Sequence, residues 1–368
     1  MASKPPFLGP SDASSVRSLH NRGRGARWPL ATVVVPARNE EKRIGACLAS
    51  VLAQTYPRDR LEVLVVDGMS RDRTRDIVLE FGEGHPPVQL LDNPKRSTSE
   101  ALNIGVQSSS GDVVIIVGAH SVISPHYVER AVAHLHSTDP AVAGVGPTLE
   151  HLGDGWFGNL VAHALSSPFG VGNSRFRLSQ TAQFVDTIPY GAYRRSVFEE
   201  VGLWDTELVR NQDIEFNHRL RSAGFRLLLA PDMGCTYYTR TTLGDFARQN
   251  YGNGLWNVLT FAKRPGSLGA RHFVPLAFLL GLAAALIAAL LVSEGWLLLL
   301  TILLAYSIGA LAAASIETVR HRQPGLLLLV LVFPVLHLTY GFGSLAGLAQ
   351  LMWSAITRGF PSRVTSRQ

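Results

Sequence analysis

The chain has 368 residues, of which 46% are hydrophobic and 17% are charged, and its formal net charge is +6 at pH 7. The positive charge is concentrated at the two ends, because residues 1–30 carry +4, residues 273–368 carry +3 and the remainder carries −1. A nucleic-acid-binding domain needs a basic stripe on its folded surface, and the central part of the chain has no such excess. We therefore predict no nucleic-acid partner and expect the basic ends to contact anionic membrane lipids.

Four short apolar runs in the first part of the chain predict buried strands of a parallel sheet. Segments with helical periodicity lie between them, and in the first of these Ile44, Cys47 and Leu48 begin one apolar stripe. Strands that alternate with helices predict an α/β fold with helices on both faces of the sheet. The predicted strands are 30–36, 61–66, 88–91 and 113–117. A second helix buries Ile77, Val78 and Phe81, and a third spans 98–107.

The chain after residue 120 is less regular. Ser124 and Pro125 have the residue types of an N-cap and a first helical position, so they predict a helix start. Residues 166–180 contain Gly and Pro breaks without periodicity, which fits either a mobile loop near an active site or a plain surface loop. The remaining predicted elements are a helix at 213–223, strands near 225–229 and 235–238, and a helical segment at 241–262.

Three uncharged apolar runs follow, at 273–292, 296–316 and 325–357. About twenty apolar residues are enough for a helix to cross a bilayer, so these runs predict a transmembrane region. The last run is long for one span and contains Pro334 and Gly341-Phe342-Gly343, which predict two shorter helices that return the chain to its starting side.

Charges beside the apolar runs predict an orientation. Three basic residues lie just before the first run, the loop 293–295 has none, and Arg320 and Arg322 follow the second run. This positive-inside pattern predicts a multi-pass protein of the inner or plasma membrane with its N-terminal domain in the cytoplasm. The predicted organisation is a disordered basic arm (1–28), an α/β domain (29–240), an amphipathic interface segment (241–272), a transmembrane region (273–357) and a basic tail (358–368).

The two cysteines, Cys47 and Cys235, lack the spacing of a metal site. We expect two buried thiols rather than a disulfide, as in a protein from a reducing compartment.

Polar residues follow three of the predicted strands: Asn39-Glu40, Asp67 and His120. Ligands of an open parallel sheet bind beyond the carboxyl ends of its strands, so these side chains predict a ligand site. The chain has no GxGxxG after its first strand, no GxxxxGK[ST] and no GxSxG. This disfavours a dinucleotide-binding oxidoreductase, a P-loop enzyme and an α/β-hydrolase.

Five segments in order resemble family 2 glycosyltransferases, which have the GT-A fold. They are VVVPARNEEKRI, VVDGMSRDRT, ALNIGVQSSSGDVVII, GAYRRSVFEEVGLWD (191–205) and RNQDIEFNHRLRSAGFRL (210–227). The apolar C-terminal part resembles a membrane-anchored subgroup that includes succinoglycan-type β-glucosyltransferases. The resemblance implies an inverting transferase that moves a sugar from a nucleotide-sugar, with a UDP-sugar expected, to a lipid-linked, glycolipid or polysaccharide-precursor acceptor at the cytoplasmic membrane face.

The resemblance also implies roles for individual residues. Asp213 stands where the family has its catalytic base, and His120 stands in the metal motif. The implied nucleotide-sugar-binding residues are Pro36, Arg38, Glu40, Asp67, Ser70, Arg96, Asn103 and Ala119. The implied acceptor-side residues are Gly191, Tyr193, Gln212, Gln249 and Trp256.

Gly118 stands where the family has the first aspartate of its metal motif, so His120 is the remaining member of the expected pair. The implied cofactor is Mn²⁺ or Mg²⁺, and Mn²⁺ accepts a nitrogen ligand more readily. Alternatively, Arg96 or Arg177 neutralises the leaving diphosphate without a metal.

Other interpretations stay open for the same residues. Asp213 could be a helix N-cap, Asp67 a turn residue before Gly68, and His120 an ordinary loop histidine. The absence of the metal-motif aspartate also suggests an alternative function: a catalytically weakened membrane scaffold or binding subunit of a glycan-assembly complex.

Overall fold

The structure, a computed structural model, describes residues 28–84 and 88–358. The predicted basic arm before Trp28 and the predicted tail after Arg358 lie outside these residues. The strands are β1 (Ala31–Ala37), β2 (Leu61–Asp67), β3 (Val88–Asp92), β4 (Val113–Ile116), β5 (Ser121–Ile123), β6 (Val142–Gly146), β7 (Leu149–Leu152), β8 (Gln183–Val185), β9 (Ala192–Arg194), β10 (Arg226–Leu229) and β11 (Cys235–Tyr238).

The helices alternate with these strands at first and then form a purely helical region. They are α1 (Ile44–Leu52), α2 (Thr74–Gly84), α3 (Thr98–Ser108), α4 (Tyr127–Ser137), α5 (Gly155–Ser166), α6 (Pro168–Val171), α7 (Arg175–Leu178), α8 (Ser196–Val201), α9 (Gln212–Ser222), α10 (Leu243–Lys263), α11 (Val274–Leu291), α12 (Gly295–His321) and α13 (Leu329–Arg358). Short 3₁₀ turns lie at Arg58–Arg60, Pro231–Met233, Ala270–Phe273 and Pro324–Leu328.

The chain forms two compact units. The first contains the described residues up to Leu152 together with Ser174–Tyr238, and the second contains Gly153–Asn173 and the residues from Thr239 onward. The α/β domain expected at 29–240 is therefore interrupted, because the segment with α5 and α6 packs with the C-terminal helices.

The first unit is built on an eight-stranded sheet with the order β3-β2-β1-β4-β9-β6-β10-β8. The four strands at one side, β3 to β4, run parallel, whereas β9 and β8 are antiparallel to their neighbours. Val33 and Val35 enter one buried cluster and Val34 enters the other, because successive strand residues point to opposite faces. Burial on both faces explains why β1 is apolar apart from Thr32, whose hydroxyl donates to Glu62.

A second sheet of three strands, in the order β5-β11-β7, completes the first unit. The predicted helix start at Ser124 and Pro125 is wrong: α4 begins at Tyr127, and the Ser124 hydroxyl donates instead to the Met233 carbonyl oxygen. The cysteines are buried free thiols, as expected, and burial raises the pKa of Cys47 to about 12.

The second unit contains three helices that are long and apolar enough to cross a membrane: Ala270–Leu291, Gly295–His321 and Pro324–Thr357. Many of their large apolar side chains are exposed, including Leu290 at 72% and Ile356 at 77%. Soluble monomers rarely expose so large a continuous apolar surface, so a lipid environment fits these helices.

The third apolar run forms one continuous helix, α13, and the prediction of two shorter helices is wrong. Pro334 lies near the start of α13, where it removes one backbone hydrogen bond without ending the helix. A Cβ atom at Gly343 would meet the Tyr251 carbonyl oxygen of α10 at 1.9 Å, and one at Gly341 would meet the Pro275 carbonyl oxygen at 2.7 Å. These glycines therefore permit close helix packing and do not break the helix.

Candidate active site

The loops that follow β1 and β2 bind each other through reciprocal hydrogen bonds. The backbone N–H of Asn39 donates to Ser70 Oγ at 2.8 Å, and the N–H of Arg71 donates back to Asn39 Oδ1 at 2.9 Å. The N–H of Glu40 donates to Thr74 Oγ1 at 2.7 Å. Asn39 has a left-handed backbone (φ 54°), a conformation that asparagine tolerates better than most residues. The two loops in which a ligand site was predicted are thus held together by hydrogen bonds at one edge of the sheet.

Asp67 is completely buried at the end of β2 and accepts several hydrogen bonds. Ser70 donates to it through its backbone N–H (3.0 Å) and its hydroxyl (2.5 Å), and Arg75 donates to its Oδ2 at 2.9 Å. Arg75 also pairs with Asp92 at 2.7 Å, and both carboxylates raise the pKa of its guanidinium. Arg75 is not among the residues predicted from sequence, although its place in the first turn of the helix after the Asp67 loop is a usable signal.

His120 and Glu40 meet at the carboxyl ends of β4 and β1. His120 Nδ1 lies 3.0 Å from Glu40 Oε1, and each side chain is about a quarter exposed (29% and 25%). The strands β2 and β4 leave β1 on opposite sides, so the pair lies at the point where the strand order reverses. Crevices at such points are the preferred ligand sites of open α/β sheets.

Tyr190 explains why the metal-motif aspartate is absent. A Cβ atom at Gly118 would lie 2.6 Å from the Tyr190 hydroxyl and 2.8 Å from its ring, so no larger side chain fits while this ring is present. The same hydroxyl lies 3.5 Å from His120 Nε2. Tyr190 has a left-handed backbone (φ 45°), which is unusual for an aromatic residue and occurs most often at functional sites.

Arg177 supplies a cation beside this group. Its Nη1 donates to His151 Nε2 at 2.7 Å, and the His151 ring packs edge-on against Tyr237, which in turn packs against His120 at 5.2 Å between ring centroids. Burial and the Arg177 charge hold the pKa of His151 well below its usual value, so the neutral ring accepts this bond.

No carboxylate in the described part of the chain lies within ion-pair distance of Arg177. The side chain is partly buried, and desolvation lowers the pKa of its guanidinium. Charged groups in such surroundings are ordinarily paired, so the site favours an anionic ligand.

The other predicted nucleotide-binding residues fall into two groups. Arg38 and Arg96 are exposed and Pro36 is partly exposed, so a ligand can reach them. Asn103 instead uses its amide group on the backbone of Trp204, donating to the carbonyl oxygen and accepting from the N–H, both at 2.9 Å. Ala119 is 1% exposed and belongs to the core. The predicted ligand roles of Asn103 and Ala119 stay predictions.

Asp213 lies in the first turn of α9, directly after Gln212 and the left-handed Asn211 (φ 61°). Solvent reaches its side chain, yet the surrounding protein atoms desolvate the carboxyl and raise its pKa. The carboxylate accepts a hydrogen bond from the Ile214 N–H at 2.9 Å. An accessible carboxylate with a raised pKa is suited to general-base chemistry.

The helix α9 is held by buried polar contacts. Glu215, which is completely buried, pairs with Arg219 at 2.9 Å, and Arg219 also donates to the carbonyl oxygens of Val201 and Leu203. Asn217 donates to the Ile188 carbonyl oxygen at 3.1 Å. Because residue 188 precedes the Tyr190 turn, α9 is tied directly to the segment that covers Gly118.

The predicted acceptor-side residues are placed differently from one another. Tyr193 is 2% exposed and packs against Phe216, and Gly191 lies against the Tyr193 ring, so both lie in the core. Their predicted acceptor roles stay predictions. Gln212 is partly exposed, and its buried Oε1 has no hydrogen-bond partner within the described chain. Gln249 and Trp256 lie on α10 in the second unit, and their roles stay predictions.

His120 and Glu40 are the metal-ligating side chains that meet at this edge of the first unit. One imidazole nitrogen and carboxylate oxygens form a set that Mn²⁺ accepts, whereas Mg²⁺ prefers oxygen in near-ideal octahedral geometry. The residues therefore fit a divalent ion.

Comparison with known proteins identifies the family. A sequence profile described as Glycosyl transferase family 2 matches residues 32–202. The chain is 30% identical over 267 residues to the dolichyl N-acetyl-alpha-D-glucosaminyl phosphate 3-beta-D-2,3-diacetamido-2,3-dideoxy-beta-D-glucuronosyltransferase of Methanococcus voltae, covering 71% of this chain and 82% of that protein. It is also 30% identical over 247 residues to the succinoglycan biosynthesis protein ExoA of Rhizobium meliloti, covering 67% and 74%.

A solved structure supports the fold. The mannosyltransferase PcManGT from Pyrobaculum calidifontis, in complex with GDP-Man and Mn²⁺, matches with a TM-score of 0.56 and 22% identity over 91% of this chain and 93% of that one. The expected GT-A-like α/β fold with its mostly parallel sheet is confirmed, and C-terminal helices that could span a membrane follow it. With two relatives matched over most of their length, the chain belongs to glycosyl transferase family 2 and is a glycosyltransferase.

Proposed function

We propose that the protein transfers a sugar, with inversion, from a UDP-sugar to a lipid-linked saccharide acceptor at the cytoplasmic face of the membrane. The observation that carries the proposal is Arg177, a partly buried cation without a carboxylate partner in the described chain. It is connected to His120 through the rings of His151 and Tyr237. A nucleoside diphosphate is the anion that a family 2 glycosyltransferase must hold and release there.

The donor is bound by the loops after β1, β2 and β4. Exposed Arg38 and Arg96 flank the nucleotide. Asp67, which is completely buried, holds the Ser70 turn that borders the base by accepting hydrogen bonds from the Ser70 N–H and hydroxyl. Arg177 stabilises the diphosphate as its negative charge grows during departure. Preorganised charges aimed at a developing anion contribute several kcal/mol to catalysis, on the order of 3 per donor.

Asp213 is the general base. The acceptor hydroxyl gives its proton to the Asp213 carboxylate while its oxygen bonds to the anomeric carbon. The bond from that carbon to the diphosphate oxygen breaks at the same time, and the nucleoside diphosphate leaves with the electron pair. The buried, unpartnered Gln212 Oε1 next to the base supports a second acceptor hydroxyl contact.

His120 and Glu40 would hold a divalent ion, for which we propose Mn²⁺. Such an ion would supply positive charge to the departing diphosphate. In its absence Glu40 orients the His120 ring by accepting a hydrogen bond from Nδ1–H. The Mn²⁺ named with PcManGT belongs to that protein and is compatible with this assignment.

The acceptor class is proposed from the membrane region and from the relatives. Three helices are long and apolar enough to hold the protein at a membrane, where lipid-linked acceptors are found. One relative is named for a dolichyl phosphate-linked sugar and the other for succinoglycan biosynthesis. Both names support an acceptor attached to a lipid or to a growing polysaccharide.

The deciding experiment measures transfer from UDP- and GDP-sugars by purified protein to membrane lipid extracts, with Asp213→Asn as the control. We expect one UDP-sugar to give a glycolipid product and the variant to give none above background. Equal product from both proteins would contradict the assigned base, and use of GDP-sugars alone would contradict the proposed donor.

A second candidate function rests on the contact between Gly118 and Tyr190, which leaves no room for the usual metal-motif aspartate. In that case the protein is a membrane scaffold that binds a nucleotide-sugar without turning it over. Calorimetry with UDP, with and without Mn²⁺, distinguishes the two. Tight binding without turnover on any lipid extract would favour the scaffold.

A further inference from the structure

The second unit contains a cluster of metal-ligating side chains that the transfer reaction does not use. His163 comes from α5, and Glu317 and His321 come from the end of α12. One ligand atom from each lies within 4.8 Å of the other two, and among the described residues this is the one group of three or more that meets this distance.

The spacing along α12 places two of the ligands on one helical face. Glu317 and His321 are four residues apart, and residues at this separation are neighbours on the surface of a helix. His163 faces them from α5, so the ligand set joins two elements that are about 150 residues apart in the chain.

The distances in the cluster are not those of hydrogen bonds. His321 Nε2 lies 3.3 Å and His163 Nδ1 lies 3.8 Å from the same oxygen, Glu317 Oε2. Hydrogen bonds between nitrogen and oxygen span about 2.7–3.2 Å. Two ligands of a tetrahedral zinc ion, each about 2.0–2.1 Å from the metal, are separated by about 3.4 Å. Each imidazole nitrogen thus lies at about the distance from the Glu317 oxygen that separates two ligands of one zinc ion.

Burial makes a shared cation favourable here. Glu317 is 4% exposed, and the two imidazoles are its ion-pair partners in the described chain. A buried carboxylate is costly without a counter-charge. The two rings are 4.5 Å apart between centroids, so two protonated imidazoles would repel each other, whereas one divalent ion satisfies all three groups.

We propose that His163, Glu317 and His321 bind Zn²⁺, with water as the fourth ligand. Two imidazole nitrogens and one carboxylate oxygen form a familiar zinc set that keeps a fourth position open. The side chain of His321 is 39% exposed, so solvent reaches the cluster. The ion joins the inserted segment 153–173 to the end of the second candidate span and so holds the second unit together.

Full-length protein in detergent, with any affinity tag removed, is stripped with a chelating resin and titrated with Zn²⁺ against a chromophoric chelator. We expect one equivalent of Zn²⁺ per chain, a higher melting temperature in its presence, and the visible absorption of tetrahedral Co²⁺ when Co²⁺ replaces it. Glu317→Gln and His321→Gln each weaken binding by at least tenfold, because loss even of supporting contacts typically costs about 10–100-fold.

The matched control is His126→Gln, which disrupts another His–Glu pair with a 3.3 Å separation, His126–Glu129. It leaves Zn²⁺ binding unchanged. Less than a fifth of an equivalent bound by wild-type protein, or equal affinity of wild type and both cluster variants, would overturn the proposal. If Glu317→Gln fails to fold, His163→Gln replaces it, and because binding is measured without nucleotide the result is independent of the proposed transfer reaction.

Discussion

At the scale of single residues, the contact between Gly118 and Tyr190 accounts for the departure of this chain from its family. The tyrosine ring occupies the space in which a side chain at position 118 would begin. Positions 118 and 190 are therefore coupled: an aspartate at the first requires a small residue at the second. Overpacking at such a contact costs about 1–3 kcal/mol.

Gly118→Asp should lower the melting temperature markedly, and adding Tyr190→Gly should recover most of the loss. Glycine also suits the left-handed backbone at position 190. Differential scanning fluorimetry of both variants checks this, with Gly118→Ala as the control that overpacks without adding charge. A Gly118→Asp protein as stable as wild type would show that Tyr190 moves freely.

Arg177→Met should raise KM for the nucleotide-sugar and lower kcat together, by about 10²-fold or more in kcat/KM, because the guanidinium contacts the diphosphate throughout the reaction. Steady-state kinetics with varied donor tests this. The matched control is Arg175→Met two residues earlier, since Arg175 donates to the Phe184 carbonyl oxygen and lies on the exposed surface. Similar kinetics for both variants would remove Arg177 from the site.

Asp213→Asn should lose about 10²–10⁴-fold in turnover and yet melt at the same or a higher temperature at pH 7. Desolvation raises the pKa of this carboxyl in the folded protein, so the folded state holds its proton more tightly than the unfolded state. Stability from that difference is present at low pH and is lost as pH rises through the raised pKa, which leaves the ionised group unfavourable at pH 7.

The same raised pKa predicts that wild-type kcat/KM falls in acid with a midpoint above 3.8, the ordinary value for aspartate. Asp76→Asn is the control, because Asp76 is an exposed carboxylate in the first turn of α2. Loss of the Asp76 carboxylate should leave activity unchanged. It should lower the free energy of unfolding by about 0.3–1 kcal/mol, because a negative charge interacts favourably with the N-terminal end of the helix dipole. Equal behaviour of the two variants would make Asp213 a simple helix-terminus residue.

At the scale of secondary-structure elements, the packing of α13 against α10 depends on backbone contact. Gly343→Ala should destabilise the protein by several kcal/mol or prevent its accumulation, because its Cβ atom would lie 1.9 Å from a carbonyl oxygen. Gly281→Ala in α11 is the matched control: no atom lies within 4 Å of its added Cβ, and alanine is the better helix former by about 1 kcal/mol. Thermal unfolding in detergent compares them.

Element prediction succeeded where local patterns dominate. The strands β1 to β4 and the helices between them follow from apolar runs and helical stripes that are continuous in sequence. The short strands β5 to β9 were not predicted, because none of them is a continuous run of large apolar residues like the equally short β4. The segment 166–180 holds two single-turn helices, and one of them, α7, carries Arg177.

At the scale of the whole molecule, the continuous α13 changes the expected topology. We propose that all three candidate spans cross the membrane, which would place the chain after α13 on the opposite side from the segment before α11. A reporter fused after Gln368 should be active on the far side, as should one after Ser293, whereas one after Arg322 should be active in the cytoplasm. A cytoplasmic signal after Gln368 would restore the returning arrangement.

The sequence by itself determined the fold class, the family motifs and the strand ends that carry Glu40, Asp67 and His120. These features follow from composition and from periodicity over about ten neighbouring residues, and both can be read from a local stretch of sequence. The raised pKa of Asp213 depends on its surroundings, although its place at the start of a helix was already visible.

Only the tertiary structure decided which partners these residues have. The contact of Glu40 with His120 joins positions 80 residues apart, and the contact of Tyr190 with Gly118 joins positions 72 apart. The donation from Arg177 to His151 and the packing of 153–173 with the C-terminal helices are equally non-local. Local propensity cannot encode such contacts, because they depend on how distant elements pack and which atoms then compete for the same space.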